Sequence, residues 1–513
     1  MRTKRTIINL MYTLGSSFVL LLLGLVARAL FVSNFDITIP GTSTVIEQLF
    51  SVFSIAEFGV GSVISYRLYE QIAAKDVEKI SKYMSLYKWT YRLIGGAIFV
   101  LAALFWFLLP LLIVEANTDW DAVHAIYILQ TLSTLSSYFL VTRRLLYTCT
   151  QQGYVCTRID FVFNVLTYLA RIYISLNYAN NYILYFGITI LFNTLANVVV
   201  AWRYRMDFPE VRDVRVSWAD FKELGLFRDL RYYLVHRVSN AIYGTSDSLV
   251  MTRMRGSASV TYLGNYSNVS SSVTNIGNKI LDSFAAAIGN IVYDKTAEAD
   301  DHQKKVFWSM DLFSYLFGSF VAVAYFCLFQ PFITVWLGSK WLLPMSYVFW
   351  FCLNEYVGWN HRMLGSYRAV LGHFEEDQWF MVASGVSNLV LSFVLVIPFG
   401  LPGVIAATVF AHCLMWFGRA KVVFGRFMRG CGGRYVRIQL THALTLAVEM
   451  ALTWWVCSLL GTGWLGIIAR AVVVCILPNA MNLVFYGFTS DAEYLRGRAL
   501  QLWQRISARR KEV

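Results

Sequence analysis

The sequence predicts an all-α polytopic membrane protein with about fourteen transmembrane helices. Of its 513 residues, 57% are hydrophobic and only 15% are charged, and the mean hydropathy is +0.53. A soluble protein carries about 25% charged residues. Apolar runs of about twenty residues recur along the whole chain, and a helix of that length spans the hydrocarbon core of a bilayer. These runs leave no room for a large soluble domain.

The apolar runs define the predicted spans. In chain order they cover residues 7–31, 44–69, 90–113, 122–146, 156–178, 182–203, 232–253, 261–290, 306–330, 345–370, 378–398, 403–424, 438–460 and 465–488. The first run follows Arg2, Lys4 and Arg5, which also suits a signal peptide. It is too long for the apolar region of a signal peptide and has no small-residue cleavage site after it, so we interpret it as the first retained span.

The distribution of positive charge predicts the orientation. Lys and Arg collect in the loops after even-numbered spans, above all in 204–231 and 419–437, and in the C-terminal tail. Such loops remain in the cytoplasm, so both termini are expected there. The exception is the loop 371–377, which holds Glu375, Glu376 and Asp377. Because the net charge of +13 follows topology in this way, we expect no nucleic-acid partner.

Loop lengths predict the domain organisation. Spans one to six form an N-terminal lobe (1–203), and the longest loop (204–231) is a cytoplasmic linker. Spans seven to twelve form a C-terminal lobe (232–424), followed by two further helices (438–488) and a basic cytoplasmic tail (489–513). A faint echo of Arg144-Leu-Leu in Arg362-Met-Leu, and of Asn164-Val-Leu in Asn388-Leu-Val, maps spans four and five onto ten and eleven. The two six-helix lobes are therefore expected to be pseudo-symmetric.

A polar stripe in the eighth span is the most informative feature of the chain. Six residues recur there at alternating steps of three and four: Asn265, Asn268, Ser272, Asn275, Lys279 and Asp282. This spacing places them on one face of a helix. Such a face is costly against lipid but is tolerated where it borders water or a polar passenger. The stripe predicts a hydrophilic route through the membrane.

Other ionisable residues inside the spans are candidates for function. The expected substrate-binding residues are Arg28, Arg171, Arg237, Asn265, Asn268, Asn275, Lys279 and Arg362. Guanidinium and ammonium groups outnumber the nearby acids, which favours an anionic, phosphate-bearing passenger. Glu57 and Asp247 are expected to couple transport to an ion gradient or, alternatively, to neutralise Arg28 or Arg237.

Simpler roles are expected for other polar residues. Asn164, Asn193, Asn197 and Asn388 are interpreted as interhelical contacts, and Arg143, Arg144 and Arg203 as anchors at the membrane surface. His412 and His442 are interpreted as packing or hydrogen-bonding residues. We find no ATP-binding signature, no zinc spacing and no cysteine pair pattern, so no catalytic residue, cofactor or metal is expected.

Several segments resemble motifs of one family. They are Glu57-Phe-Gly-Val-Gly-Ser-Val-Ile-Ser-Tyr-Arg-Leu-Tyr69, Thr142-Arg-Arg-Leu-Leu, and Tyr262-Leu-Gly-Asn-Tyr-Ser-Asn268. The chain is similar over roughly residues 1–300 to the Wzx-type polysaccharide flippases of the MOP superfamily. It departs from their pattern at Val63, where the family often has alanine, and at Gln151-Gln152, which no basic residue follows.

The resemblance implies a fold and a function. The fold is that of two six-helix lobes around a central cavity with two extra helices. The function is movement of undecaprenyl-diphosphate-linked oligosaccharide from the cytoplasmic to the outer face of the bacterial inner membrane, without ATP. Coupling to H⁺ or Na⁺, and a polysaccharide polymerase as a partner, are implied in the same way.

Two alternatives remain open. A MATE-type antiporter of drugs or cations shares the superfamily, although the basic residues and the fourteen spans argue against it. A membrane-embedded glycosyltransferase or ligase needs a large outer loop carrying acids or histidines, and the outer loops here are short.

Overall fold

The computed structural model describes residues 2–57, 60–113, 118–217, 220–221, 238–239, 244–292, 297–370, 376–497 and 500, and all secondary structure in these ranges is helical. The helices before residue 256 are α1 Arg2–Asn34, α2 Thr38–Phe53, α3 Val60–Ala74, α4 Val77–Trp106, α5 Leu109–Leu112, α6 Trp120–Leu140, α7 Arg144–Cys149, α8 Tyr154–Asn177, α9 Tyr182–Asp207 and α10 244–255. The later helices are α11 Ser257–Val292, α12 Ala297–Trp336, α13 Met345–Val370, α14 Gln378–Phe399, α15 Leu401–Val422, α16 Gly432–Ser458, α17 Trp464–Tyr486 and α18 490–497.

The helices confirm the predicted all-α membrane fold. Within the described ranges, ten are long and apolar enough to cross a membrane. The four predicted spans outside that count are the second, which is interrupted, the seventh, which lies partly outside the described residues, the eighth, which carries the polar stripe, and the tenth. The helices are therefore roughly consistent with fourteen spans.

Asparagine and aspartate side chains begin three of the helices. Asp76, Asp119 and Asn181 each accept a hydrogen bond from the backbone N–H three residues further on, at 3.0 Å in every case. This contact satisfies one of the donors that a helix leaves unpaired at its first turn. The local sequence thus determines where α4, α6 and α9 start.

The second and fourth predicted spans are not continuous α-helices. A 3₁₀ turn at Ser54–Glu57 follows α2, where the Ser54 hydroxyl donates to the Ser51 carbonyl at 2.7 Å. Such side-chain hydrogen bonds compete with the helical ladder. A second 3₁₀ turn, Val141–Arg143, separates α6 from α7. Interruptions of this kind redirect the side chains that follow them.

The chain divides into two compact units, Met1–Asn265 and Tyr266–Val513. The lobe boundaries predicted around 204–231 stay a prediction, because 222–237 lies outside the described residues. In the first unit α1 packs on α8, and Phe31 stacks on Tyr185 of α9 with ring centroids 4.3 Å apart. A Cβ atom at Gly41 would lie 1.8 Å from the Ser257 carbonyl oxygen, so only glycine permits this approach between α2 and α11.

A buried tryptophan organises the second unit. Trp359 on α13 is fully buried, and its backbone carbonyl accepts a hydrogen bond from the Ser314 hydroxyl at 2.9 Å. A Cβ atom at Gly277 would lie 2.2 Å from the indole, and one at Gly318 would lie 3.2 Å from the Trp359 Cβ. The two glycines therefore make room for the indole against α11 and α12.

Candidate functional site

Arg28 is held by neutral partners in the first unit. Its Nε donates to Asn265 Oδ1 at 3.0 Å, and its Nη2 donates to the Thr261 carbonyl at 3.3 Å. A Cβ atom at Gly264 would lie 2.8 Å from Nη2, so the glycine gives the guanidinium its space. These hydrogen bonds come from neutral groups, so they do not themselves neutralise the positive charge of Arg28.

Arg171 lies in the same cluster. Its Nε donates to Thr189 Oγ1 at 2.9 Å, and its guanidinium lies 4.8 Å from the centre of the Tyr185 ring. The exposed Glu47 of α2 interacts electrostatically with both Arg28 and Arg171, and no ion pair within 4.0 Å joins it to either among the described residues. We call Arg28, Glu47 and Arg171 the basic cluster, and its formal charge is positive.

The structure thus brings together three of the residues predicted to bind substrate, Arg28, Arg171 and Asn265. The sequence analysis missed Glu47. A signal for it existed, because Glu47 is an acid inside the predicted span 44–69, as Glu57 is. No local pattern reveals that Glu47 interacts with two arginines, one on α1 and one on α8.

The polar stripe is confirmed as part of one continuous helix, α11, but its members differ in surroundings. Asn265 is fully buried against Arg28, whereas Asn268 and Asn275 are exposed. The Lys279 side chain lies outside the described residues, so its role stays a prediction. Asn268 and Asn275 are therefore the stripe residues that the structure leaves accessible.

Of the two candidate coupling acids, Glu57 has surroundings that correct one expectation. It ends the 3₁₀ turn after α2, and its carboxyl interacts with the hydroxyls of Tyr91 and Tyr138. The acid beside Arg28 is Glu47. The proposed pairing of Glu57 with Arg28 is therefore wrong.

Asp247 is half-buried on α10. Its predicted partner Arg237 lies outside the described residues, so that pairing stays a prediction.

Arg144 also corrects an expectation. The sequence analysis interprets it as a surface anchor, but its guanidinium donates two hydrogen bonds to the Asp160 carboxylate, at 2.6 and 2.7 Å. Its Nε also donates to Asn197 Oδ1 at 3.1 Å. A two-bond contact of this kind is directional and stronger than a neutral hydrogen bond. Arg144 therefore ties α7 to α8 and α9.

In the second unit, Arg362 lies over the Trp359 ring at 5.0 Å and interacts electrostatically with Glu355. Its Nη1 is buried and makes no hydrogen bond with the described residues. His412 lies close to it, and His412 Nδ1 is 2.7 Å from Asn354 Oδ1. Arg362 therefore has a buried donor that no acceptor among the described residues satisfies.

The two acids of the loop 371–377 that the structure describes, Glu376 and Asp377, both form ion pairs. Asp377 is fully buried and pairs with Arg368, and its second oxygen is 3.5 Å from Arg419 Nε. Glu376 pairs with Arg426. The acids thus neutralise arginines of the same unit, which explains how a loop predicted to be cytoplasmic departs from the positive-inside pattern.

Comparison with known proteins relates the chain to transporters through its fold. No family model matches the sequence, and no curated protein matches it. The solved structure of lipid II flippase MurJ in an inward closed conformation has a TM-score of 0.69 and 14% identity, covering 93% of this chain and 99% of that one. A multidrug resistance MATE transporter of the MOP superfamily, inward-facing, has a TM-score of 0.59 and 14% identity, covering 78% and 94%.

A third solved structure is a MOP superfamily transporter from Pyrococcus furiosus, described as having a binding pocket of reversed polarity. It has a TM-score of 0.57 and 13% identity, covering 82% of this chain and 95% of that one. At these identities the comparisons establish the fold: the chain has the helical, multi-pass fold shared by this lipid flippase and these MOP superfamily transporters.

Proposed function

We propose that the protein is a flippase that moves undecaprenyl-diphosphate-linked oligosaccharide repeat units across the bacterial cytoplasmic membrane by alternating access. The observation that carries this proposal is the basic cluster. Arg28 and Arg171 are held by neutral side chains and a carbonyl, and the carboxylate of Glu47 interacts electrostatically with both. Two guanidinium groups suit a diphosphate, because each offers paired donors to phosphate oxygens.

The sugar part of the passenger needs a polar lining. The exposed Asn268 and Asn275 on α11 offer amide donors and acceptors to hydroxyl groups. A lipid II flippase with this fold supports a lipid-linked passenger by analogy of fold only. On this proposal the protein works in cell-surface polysaccharide biosynthesis, with a polysaccharide polymerase as the protein that uses its product.

A substitution series at the basic cluster tests the proposal. In a strain lacking the chromosomal copy, Arg28→Ala and Arg171→Ala should reduce surface polysaccharide by 10-fold to 100-fold, because a charged hydrogen bond contributes about 1.5–3 kcal/mol. Arg28→Lys should retain part of the export, since lysine keeps the positive charge but lacks the paired N–H donors of the guanidinium. Arg203→Ala is the matched control, because in the described part of the chain Arg203 forms its ion pair with Asp207 on the same helix. Normal export by both cluster variants would overturn the proposal.

The second candidate is a MATE-type antiporter of cationic drugs, which the fold and the acids Glu47 and Glu57 favour. Binding to the purified protein separates the two. The flippase should bind undecaprenyl diphosphate and lose about tenfold or more in affinity on Arg28→Ala. The antiporter should instead bind ethidium, lose that binding on Glu47→Gln, and be indifferent to the lipid.

Ion coupling forms part of the proposal. Glu57→Gln or Asp247→Asn should leave the protein in the membrane but make transport in vesicles independent of an imposed pH gradient. Lys279→Ala should abolish export, and Lys279→Arg should retain part of it. Wild-type flux that ignores both H⁺ and Na⁺ gradients would exclude a coupling role for either acid.

A further inference from the structure

A polar seam runs through the packed helices α12, α16 and α17 of the second unit, away from the residues discussed above. Glu449 of α16 is fully buried at this seam. Its Oε1 lies 3.5 Å from the Tyr315 hydroxyl, and its Oε2 makes no hydrogen bond with the described residues. No arginine or lysine in the described part of the chain lies within 4.0 Å of it.

An unpaired carboxylate is costly to bury, because protein surroundings replace its hydration poorly. The protonated acid has no charge to solvate and can donate a hydrogen bond. A buried glutamate that faces hydroxyl groups instead of cations is therefore suited to bind and release a proton. Hydroxyl groups on the surrounding helices lie between Glu449 and the protein surface, and they form the route by which a proton can reach Glu449.

Hydroxyl groups follow one another along the seam to Glu449. The Thr445 hydroxyl is 2.9 Å from the Tyr486 hydroxyl. The Tyr486 ring packs edge to face on the Tyr315 ring with centroids 5.2 Å apart, and the two side chains interact electrostatically. Tyr315 contacts the carboxyl, and Ser319 interacts with it one helical turn further along α12. Hydroxyls are both donors and acceptors, so such a chain can pass a proton from one oxygen to the next.

The chain begins at a cavity. A cavity of about 650 Å³ lies between α12, α16, α17 and the start of α18, and Tyr486 and His442 line it. Arg434 and Asp491 also line it, with Arg434 Nη2 3.9 Å from Asp491 Oδ2. Burial raises the pKa of Asp491 above its ordinary value, so this carboxyl can exchange protons with the cavity. By the predicted topology the cavity opens to the cytoplasm.

Other titratable groups face the seam from every helix around it. His442 stacks on the Tyr315 ring with centroids 3.9 Å apart, and its Nδ1 has no partner among the described residues. Asp311 of α12 accepts two bonds from the Gln439 amide, at 2.9 and 3.1 Å. Tyr356 of α13 interacts electrostatically with Glu449. Tyr356 and Asp311 carry no positive charge in any protonation state, and no ion pair within 4.0 Å joins His442 to Glu449 among the described residues, so none of these groups forms a salt bridge with Glu449.

We propose that Glu449 is a proton-binding site, loaded from the cavity through the hydroxyls of Tyr486 and Tyr315. A proton from water in the cavity attaches to the Tyr486 oxygen, each hydroxyl passes its own proton to the next oxygen, and the last proton joins a Glu449 oxygen. Release reverses these steps. The proton count is conserved, and no oxidant or further reactant takes part. The site is independent of the basic cluster and of the identity of the passenger.

Infrared spectroscopy of the purified protein in lipid nanodiscs tests the proposal. A pH titration should show C=O bands of protonated carboxyls that appear and disappear reversibly, and the difference between the wild-type and Glu449→Gln spectra should contain one such band, which is assigned to Glu449. Glu57→Gln should leave it in place. If the band is absent, or survives Glu449→Gln, the proton site is refuted. This readout needs no transport, so it succeeds or fails separately from the proposed flippase function.

A pH-jump measurement tests the path. Tyr315→Phe removes one hydroxyl but keeps the ring, and it should slow protonation of the same band on the order of tenfold. Tyr356→Phe is the matched control, since Tyr356 interacts electrostatically with Glu449 but is not one of the hydroxyls between the cavity and Glu449. An unchanged rate in Tyr315→Phe, or equal slowing in both variants, would overturn the hydroxyl path.

Discussion

Replacing Gly41 with alanine tests whether the contact between α2 and α11 positions the basic cluster. The new methyl group would lie 1.8 Å from the Ser257 carbonyl oxygen and 2.9 Å from Thr261 Oγ1. To bring the distance from the methyl group to the Ser257 oxygen to 3.0 Å, the helices must separate by roughly 1.2 Å. The Ser257 oxygen belongs to the backbone, so it cannot move away by a change of rotamer. Such overpacking costs about 1–3 kcal/mol. The same shift stretches the 3.0 Å bond from Arg28 to Asn265.

Gly96→Ala on α4 is the matched control, because a Cβ atom there would meet nothing within 4 Å. Replacing a glycine inside a helix with alanine stabilises by about 0.5–1 kcal/mol. The two variants should therefore differ by roughly 1.5–4 kcal/mol in the free energy of unfolding. Tryptophan fluorescence of the purified proteins during denaturation measures this difference, and polysaccharide export should fall only in Gly41→Ala. Equal stability of the two variants would refute the close approach.

Three further predictions follow from other contacts. Asp160→Ala should lower the free energy of unfolding by about 1–3 kcal/mol, because it leaves the Arg144 guanidinium without its carboxylate. Adding Arg144→Ala should recover part of that loss, and strictly additive effects of the two substitutions would contradict the pairing. Lys82, 2.7 Å from Asp220, lowers the pKa of that carboxyl to about 2. Because this folded pKa is below the ordinary value of 3.8, the contact with Lys82 is intact above pH 3.8 and is lost only as the pH falls toward about 2. Proteolysis of the linker 204–231 in inverted vesicles should therefore be equally fast at about pH 7 and about pH 5. Faster cleavage at the lower pH would argue against the contact. A single cysteine at Ser339 in a cysteine-free variant should react with an impermeant maleimide on intact cells, and reaction only in inverted vesicles would reverse the predicted orientation.

Hydropathy and helical periodicity, both local properties, were enough to predict the helices and the membrane class. An apolar run long enough to cross a bilayer must satisfy its own backbone hydrogen bonds, so it becomes a helix whatever its neighbours are. For the same reason the three-and-four spacing from Asn265 to Asp282 predicted one continuous polar-faced helix. The sequence by itself also indicated that Arg28 and Arg171 are charges within membrane spans, because each lies inside an apolar run.

Tertiary structure decided which of these residues meet. Arg28 and Asn265 are separated by 237 residues in the chain, and no periodicity relates α1 to α11. Glu47 and Glu57 look alike as acids in one predicted span, but the 3₁₀ turn after α2 separates them, so one interacts with arginines and the other with tyrosines. The seam at Glu449 likewise exists only because three helices pack there. A helix face is set by nearest neighbours in sequence, whereas the partner of that face is set by how whole helices pack, which is a property of the folded chain alone.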